Sequence, residues 1–228
     1  FTILKQYSVA GETPYNGLLI KRGLGEPPNW LSPELACIVK GLNATVSPRG
    51  WYYPPIYVPE IGPKATLRSD ANKTYQVAAF MGLSYLEPEV SEIDMRMGLI
   101  GRWFNKGEKF VCILTESASK ALNVTVNSKV YWDGYQLTVV GIANENMLNA
   151  FKDLHQDMIT PLDPVWVPEF NVIRGAAPAQ YIPLLWGHVL IVPYDFILLL
   201  DGTTSSVAVK LEGNSETIFK IGEKISEY

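Results

Sequence analysis

Three carboxylate pairs have the close spacing that acid–base work would need: Glu87/Glu89, Glu92/Asp94 and Asp153/Asp157. Asp153 and Asp157 would share one face of a helix at i, i+4. Glycoside cleavage needs two carboxylates facing each other across a cleft, and a solvated acidic face is the commoner meaning of such pairs. Neither His155 nor His188 has a cysteine or a second histidine at ligand spacing, which disfavours a zinc site. His155 reads as a solvated side chain, and His188 as a core or edge histidine opening an apolar strand. Gly23-Leu24-Gly25 lacks the third glycine of a dinucleotide loop and runs into Pro27-Pro28, where no phosphate-binding helix can start. There is no G-x-S-x-G elbow and no P-loop. The reading is therefore a chain with no catalytic residues, no cofactor and no metal site.

The aromatic cluster Trp51-Tyr52-Tyr53 with Tyr57 is the tentative ligand contact. Such rings stack on sugars or apolar ligands, although beside prolines they more often pack. Cys37 and Cys112 are expected to be two free thiols that pack as small hydrophobes. Sequons at Asn43, Asn72 and Asn123 give a weak hint of an extracellular location.

Composition bounds the rest. The 228 residues are 47% hydrophobic and 18% charged, enough for a real core and unlike a disordered chain. A net charge of −4 and scattered basic residues argue against a nucleic-acid partner, which would need a concentrated Lys/Arg face. The longest apolar stretch, Leu190 to Leu200, is broken by Pro193 and Asp195. It falls well short of the ~20 residues of a membrane helix, and it reads as two buried strands around a Pro-Tyr-Asp corner.

These residues must be positioned by a mixture of strands and helices. Gly17–Ile20 is a strand candidate, and a helix is capped by Ser32 and Pro33 and closed by Gly41. Residues 46–63 read as extended chain and turns. Thr74–Leu83 reads as a strand that breaks near Gly82, and Lys109–Leu114 as another strand. A helix capped at Thr115 or Ser117 follows and runs to Leu122. Asp133-Gly134 between two β-rich runs is the signal for a type I′ hairpin. Residues 144–157 read as helix or loop. Residues 160–187 form a Pro-rich connector with an edge strand at Val165–Val167. Strands near His188–Val192 and Ser206–Leu211 precede a closing amphipathic helix over Ser215–Tyr228.

The segment from Met97 to Ile142 (MGLIGRWFNKGEKFVCILTESASKALNVTVNSKVYWDGYQLTVVGI) resembles the extracytoplasmic core of MacB-type permeases of the FtsX superfamily of ABC transporters. The shared features are Gly101-Arg102-Trp103-Phe104 before a strand, an Ala/Leu-rich short helix, a tight turn with Gly134, and a strand closing in Val140-Gly141-Ile142. FMGLSYLEP at Phe80–Pro88 and the tail from His188 are similar to further family segments. The chain departs at Asn127-Ser128, where that family has Gly-Asp.

The resemblance implies an α+β fold in two lobes. Residues 1–80 with 188–228 would form a porter-like lobe, and residues 81–187 an inserted, mostly β, Sabre-like lobe. It implies the extracytoplasmic face of a cell membrane, a chain that opens on Phe1 as a fragment, and flanking transmembrane helices. Its other partners would be a cytoplasmic ABC ATPase and a second copy in the full transporter. The implied role is non-catalytic mechanotransmission, coupling ATP hydrolysis to export or transmembrane signalling. The alternative reading is a secreted carbohydrate- or lipid-binding module built on the Trp51–Tyr57 cluster.

Overall fold

The computed structural model describes residues 2–5, 17–21, 44–55, 57–58, 62–153, 157–163 and 182–211. The expected helices at 32–41 and 215–228, the edge strand at 165–167, His155 and Cys37 lie outside them.

Fourteen strands are described. β1 (Thr2–Lys5), β2 (Gly17–Lys21) and the nine-residue β3 (Ala44–Tyr52) come first. A separate small ribbon pairs β4 (Tyr57–Val58) with β5 (Gly62–Pro63). β6 (Ala65–Ser69) and β7 (Thr74–Val77) form a hairpin, and β8 (Ala79–Leu83) follows. Next are β9 (Ile100–Gly101), β10 (Val111–Thr115), β11 (Lys129–Trp132) and β12 (Tyr135–Ala143). β13 (Val189–Pro193) and β14 (Thr203–Leu211) complete the set. Five short helices connect them: α1 (Glu87–Ser91), α2 (Ile93–Arg96), α3 (Glu116–Leu122), α4 (Glu145–Ala150) and α5 (Tyr194–Leu199). None of the described helices is long and apolar enough to cross a membrane.

All strands but β4 and β5 join one 12-stranded sheet in the order β1-β2-β14-β3-β8-β13-β10-β12-β11-β6-β7, with β9 beside β12. The strand expected at Ser206–Leu211 lies as β14 between β2 and β3, both from the first 80 residues. β6 and β7, also from the first 80 residues, lie at the far edge, where β6 pairs with β11. Near the middle, β13 meets β10 at the pair Ile191 and Ile113.

Period-two alternation gives this sheet a core on each face. Phe80, Leu190, Val192, Cys112, Leu114 and Val139 belong to one buried cluster. Met81, Leu83, Ile191, Val111, Ile113 and Val140 belong to the other. Both clusters therefore take residues from either side of the β13–β10 contact.

Local chemistry accounts for the clearest elements. Asp133 and Gly134 both take positive φ, 45° and 81°, as a type I′ turn requires. The Thr115 side chain caps α3 by accepting the Ala118 N–H at 3.4 Å, and Asn123 closes the helix in the left-handed region.

Two expectations are corrected. Leu190–Leu200 is a strand followed by a helix, because Pro193 ends β13 and its fixed φ turns the chain into α5 from the N-cap position, without a side-chain cap. Tyr194 and Ile197, at i, i+3, then lie on the sheet. The floor beneath them is made of glycines: a Cβ on Gly82 would meet Ile197 Cγ1 at 2.2 Å, and Cβ atoms on Gly202 and Gly50 would meet Ile197 Cγ2 at 2.5 and 3.0 Å. The break in Thr74–Leu83 falls at Ala78, whose N–H donates to the His188 carbonyl at 2.7 Å. Gly82 itself sits inside β8, paired with β13 and β3.

Candidate functional site

The carboxylates singled out by spacing do not share one site. Glu87 is fully buried at the start of α1, facing Arg49 of β3, which is equally buried. Arg49 donates to it through Nε at 3.1 Å and Nη2 at 2.6 Å. Hydroxyls from Ser47 and Ser91 also donate to this carboxylate, Ser91 at 2.8 Å. Such a pair is sustained by completing its hydrogen bonds, since two charges out of water otherwise cost several kcal/mol each. Composition and pair spacing missed this network. The available signal was Ser47 and Arg49 recurring at period two in an extended run.

Glu92 takes φ 56° between α1 and α2 and reaches Arg96 at 3.4 Å in an exposed i, i+4 pair. Asp153 and Asp157 bond to each other beyond the end of α4 at Ala150 and do not line that helix. The Asp153 N–H donates to the Asp157 carbonyl at 3.0 Å, and Asp153 Oδ1 accepts the Asp157 N–H at 3.3 Å. His188 is exposed in the 3₁₀ turn before β13 rather than opening the strand. Cys112 is a free buried thiol whose pKa burial pushes up.

The aromatic cluster is split by strand alternation. Trp51 and Tyr53 pack against one core, with Trp51 Nε1 donating to the Ile159 carbonyl at 3.3 Å and the Tyr53 hydroxyl to that of Leu162 at 2.8 Å. Tyr52 points to the opposite face, against Phe80 and Trp132. Tyr57 lies in the separate β4–β5 ribbon. Burial raises the Tyr53 phenol well above its ordinary value.

The family-motif residues do come together. Gly101 of β9 pairs with Gly141 of β12. Gly101 has φ 105°, and a Cβ there would lie 2.4 Å from the Val140 carbonyl. A Cβ on Gly141 would lie 2.6 Å from Leu99 Cδ1. Two backbones thus approach more closely than side chains would allow. Beyond Gly101, the Arg102 N–H donates to the Val140 carbonyl at 3.0 Å. Its guanidinium forms a two-pronged pair with Glu108, at 2.8 and 2.7 Å. That hydrogen bonding holds the Glu108 carboxyl at about 2 and raises the Arg102 guanidinium. Trp103 lies against Phe104 with centroids at 5.0 Å and ring planes tilted by 44°, and donates to the Ser84 carbonyl at 3.2 Å. Phe104 and Val140 are core residues of the same cluster, Ile142 packs half-buried on the other, and Gly134 stands at the hairpin tip. This arrangement ties β9, β12 and the approach to β10 together.

No family model matches the chain, and no curated protein matches it either. Solved structures do. The periplasmic region of MacB from Actinobacillus actinomycetemcomitans matches with a TM-score of 0.54 at 17% identity, over 93% of this chain and 80% of that one. The extracellular domain of the noncanonic ABC-type transporter YknZ from Gram-positive bacteria gives 0.49 at 12% identity, over 90% and 86%. The chain shares the α+β, strand-rich fold of the MacB periplasmic region.

Proposed function

We propose that this chain is the extracytoplasmic domain of a MacB-type ABC transporter permease. In this reading it couples cytoplasmic ATP hydrolysis to substrate export or transmembrane signalling by mechanotransmission, and does no chemistry itself. The observation that carries the reading is the fold match to the MacB periplasmic region over 93% of the chain. The partners are then the permease's own membrane helices, a cytoplasmic ATPase and a second copy of the permease.

Strands from both ends of the chain lie side by side as β1-β2-β14-β3, which supports a porter-like lobe built from residues 1–80 and 188–228. β6 and β7 depart from that division, since they belong to the first 80 residues yet lie at the far edge of the sheet, where β6 pairs with β11. Two cores that cross that contact favour motion of the domain as one body, because close-packed interiors pass strain on.

The test replaces residues 1–228 by a short flexible linker in the full transporter and measures ATP turnover and export separately. Turnover is expected to persist while export is lost. Export that survives the replacement removes the mechanical role, and ATP hydrolysis by the isolated domain removes the non-catalytic one.

A further inference from the structure

The three Asn-X-Thr tripeptides of the chain are alike in sequence, and the fold separates them. Asn43-Ala44-Thr45 runs into β3, where Ala44 and Thr45 pair with Leu211 and Lys210 of β14. Asn43 itself lies outside the described residues. In Asn123-Val124-Thr125 the middle residue belongs to the core, with Val124 only 8% exposed. The Val124 N–H donates to the Ser119 carbonyl at 3.1 Å, and its carbonyl accepts the Ser119 hydroxyl at 2.7 Å. Asn72-Lys73-Thr74 is held by neither kind of constraint. Asn72, Lys73 and Thr74 are all exposed.

This third tripeptide forms the tip of the β6–β7 hairpin. Arg68 with Thr74 is the outermost pair of that ladder. Beyond it the Asn72 N–H donates to the Ser69 carbonyl at 2.9 Å, and the Ser69 N–H to the Lys73 carbonyl at 2.9 Å. Asn72 takes φ 58°, in the left-handed region that asparagine tolerates. Its carboxamide has no hydrogen-bond partner among the described residues, so nothing in the fold competes for that nitrogen. An enzyme can draw Asn72–Thr74 into an extended shape by opening these turn bonds and the outermost pair. The pairs from Leu67–Tyr75 inward stay closed. The same extension at Asn123 would pull Val124 out of the core.

We infer that Asn72 is the acceptor of an N-linked oligosaccharide, and that it is modified in the folded domain in preference to Asn123. The Thr74 hydroxyl two residues on completes the acceptor pattern. In the transfer, the carboxamide nitrogen bonds to the anomeric carbon of a lipid-linked oligosaccharide. The bond from that carbon to the lipid phosphate oxygen breaks, the nitrogen gives up one proton, and the lipid phosphate leaves with the electron pair. The attached saccharide is bulky and solubilising, and at this tip it extends into water without displacing a packed side chain. The inference rests on the extracytoplasmic reading, since this acceptor pattern is used on surface loops of exported chains.

Mass spectrometry of peptides from the full-length protein, purified from membranes of the organism that makes it, tests the assignment. The peptide holding Asn72 is expected to carry an added saccharide mass. Asn72→Gln and Thr74→Ala should each lose that mass, while Thr74→Ser keeps it. Both positions are exposed, so circular dichroism spectra of the variants should match the parent. An impermeant amine reagent, applied to right-side-out membrane vesicles, reports location separately through the exposed Lys106 and Lys120. Labelled lysines with an unmodified Asn72 would overturn this inference alone. Unlabelled lysines with an unmodified Asn72 would overturn it together with the extracytoplasmic reading. A saccharide on Asn123 with none on Asn72 would overturn the order assigned to the two sites.

Discussion

Arg49 and Glu87 meet at 2.6 Å with neither side chain exposed, joining the centre of β3 to the first turn of α1. Removing either partner leaves the other charged and buried. Arg49→Ala and Glu87→Ala should each destabilise by about 3–5 kcal/mol in urea titrations. A double replacement by apolar residues of matched volume should cost less than either single change. Equal costs for the double and single variants would show that the pair is not the source.

Gly82 carries a purely steric constraint, since a methyl there would lie 2.2 Å from Ile197 Cγ1. Gly82→Ala should lower stability by about 1–3 kcal/mol through overpacking. Shortening the neighbour in a Gly82→Ala/Ile197→Ala double variant should recover part of the loss relative to Ile197→Ala alone. Thermal melts of the four proteins decide this.

Acid should loosen the loop between Arg102 and Glu108. The Glu108 carboxyl is depressed in the folded chain from its ordinary 4.5 to about 2. Its contribution is therefore complete above about pH 4.5, and is lost as pH falls toward 2. The pair is mostly open to water, so the contribution stays below about 1 kcal/mol. Carboxyl NMR titration should show the depressed midpoint, and Arg102→Gln should return it toward 4.5. An unshifted midpoint in the parent would exclude the pair in solution.

The hairpin turn gives a local check. Gly134 holds φ 81°, a conformation that a β-branched residue resists. Gly134→Val should cost about 1 kcal/mol or more, and Gly134→Asn less, because Asn tolerates the left-handed region. Melting temperatures ordered otherwise would argue against a type I′ turn here.

Elements written in local chemistry were legible from residues alone. Asp133-Gly134 specified its turn and Thr115 its helix cap. The pairing of β14 with strands near the N-terminus followed from the resemblance and is met at Val207 with Ile20 and Pro48. Elements decided by distant partners were not legible. Phe196 to Leu200 is an unbroken apolar run that could be strand or helix, and beyond Pro193 the helix fits on a glycine floor drawn from β3, β8 and the α5–β14 turn. Glu87 reads as one more acidic residue until Arg49, 38 positions away, is placed beside it. The edge-on contact of Tyr52 with Trp132 was equally hidden, since the two lie far apart along the chain.

The position of β13 bears on how the protein is made. It lies between β8 and β10 in the sheet, yet residues 189–193 leave the ribosome after almost everything they hold together. Until they emerge, β8 and β10 each have a buried edge with no partner, and both faces of the sheet lack Ile191 or its neighbours. Non-local closure of this kind slows folding and leaves unpaired edges exposed to other chains. For most of its synthesis the nascent domain therefore exposes strand edges that the finished sheet closes, and a truncation before residue 189 lacks the strand that joins β8 to β10.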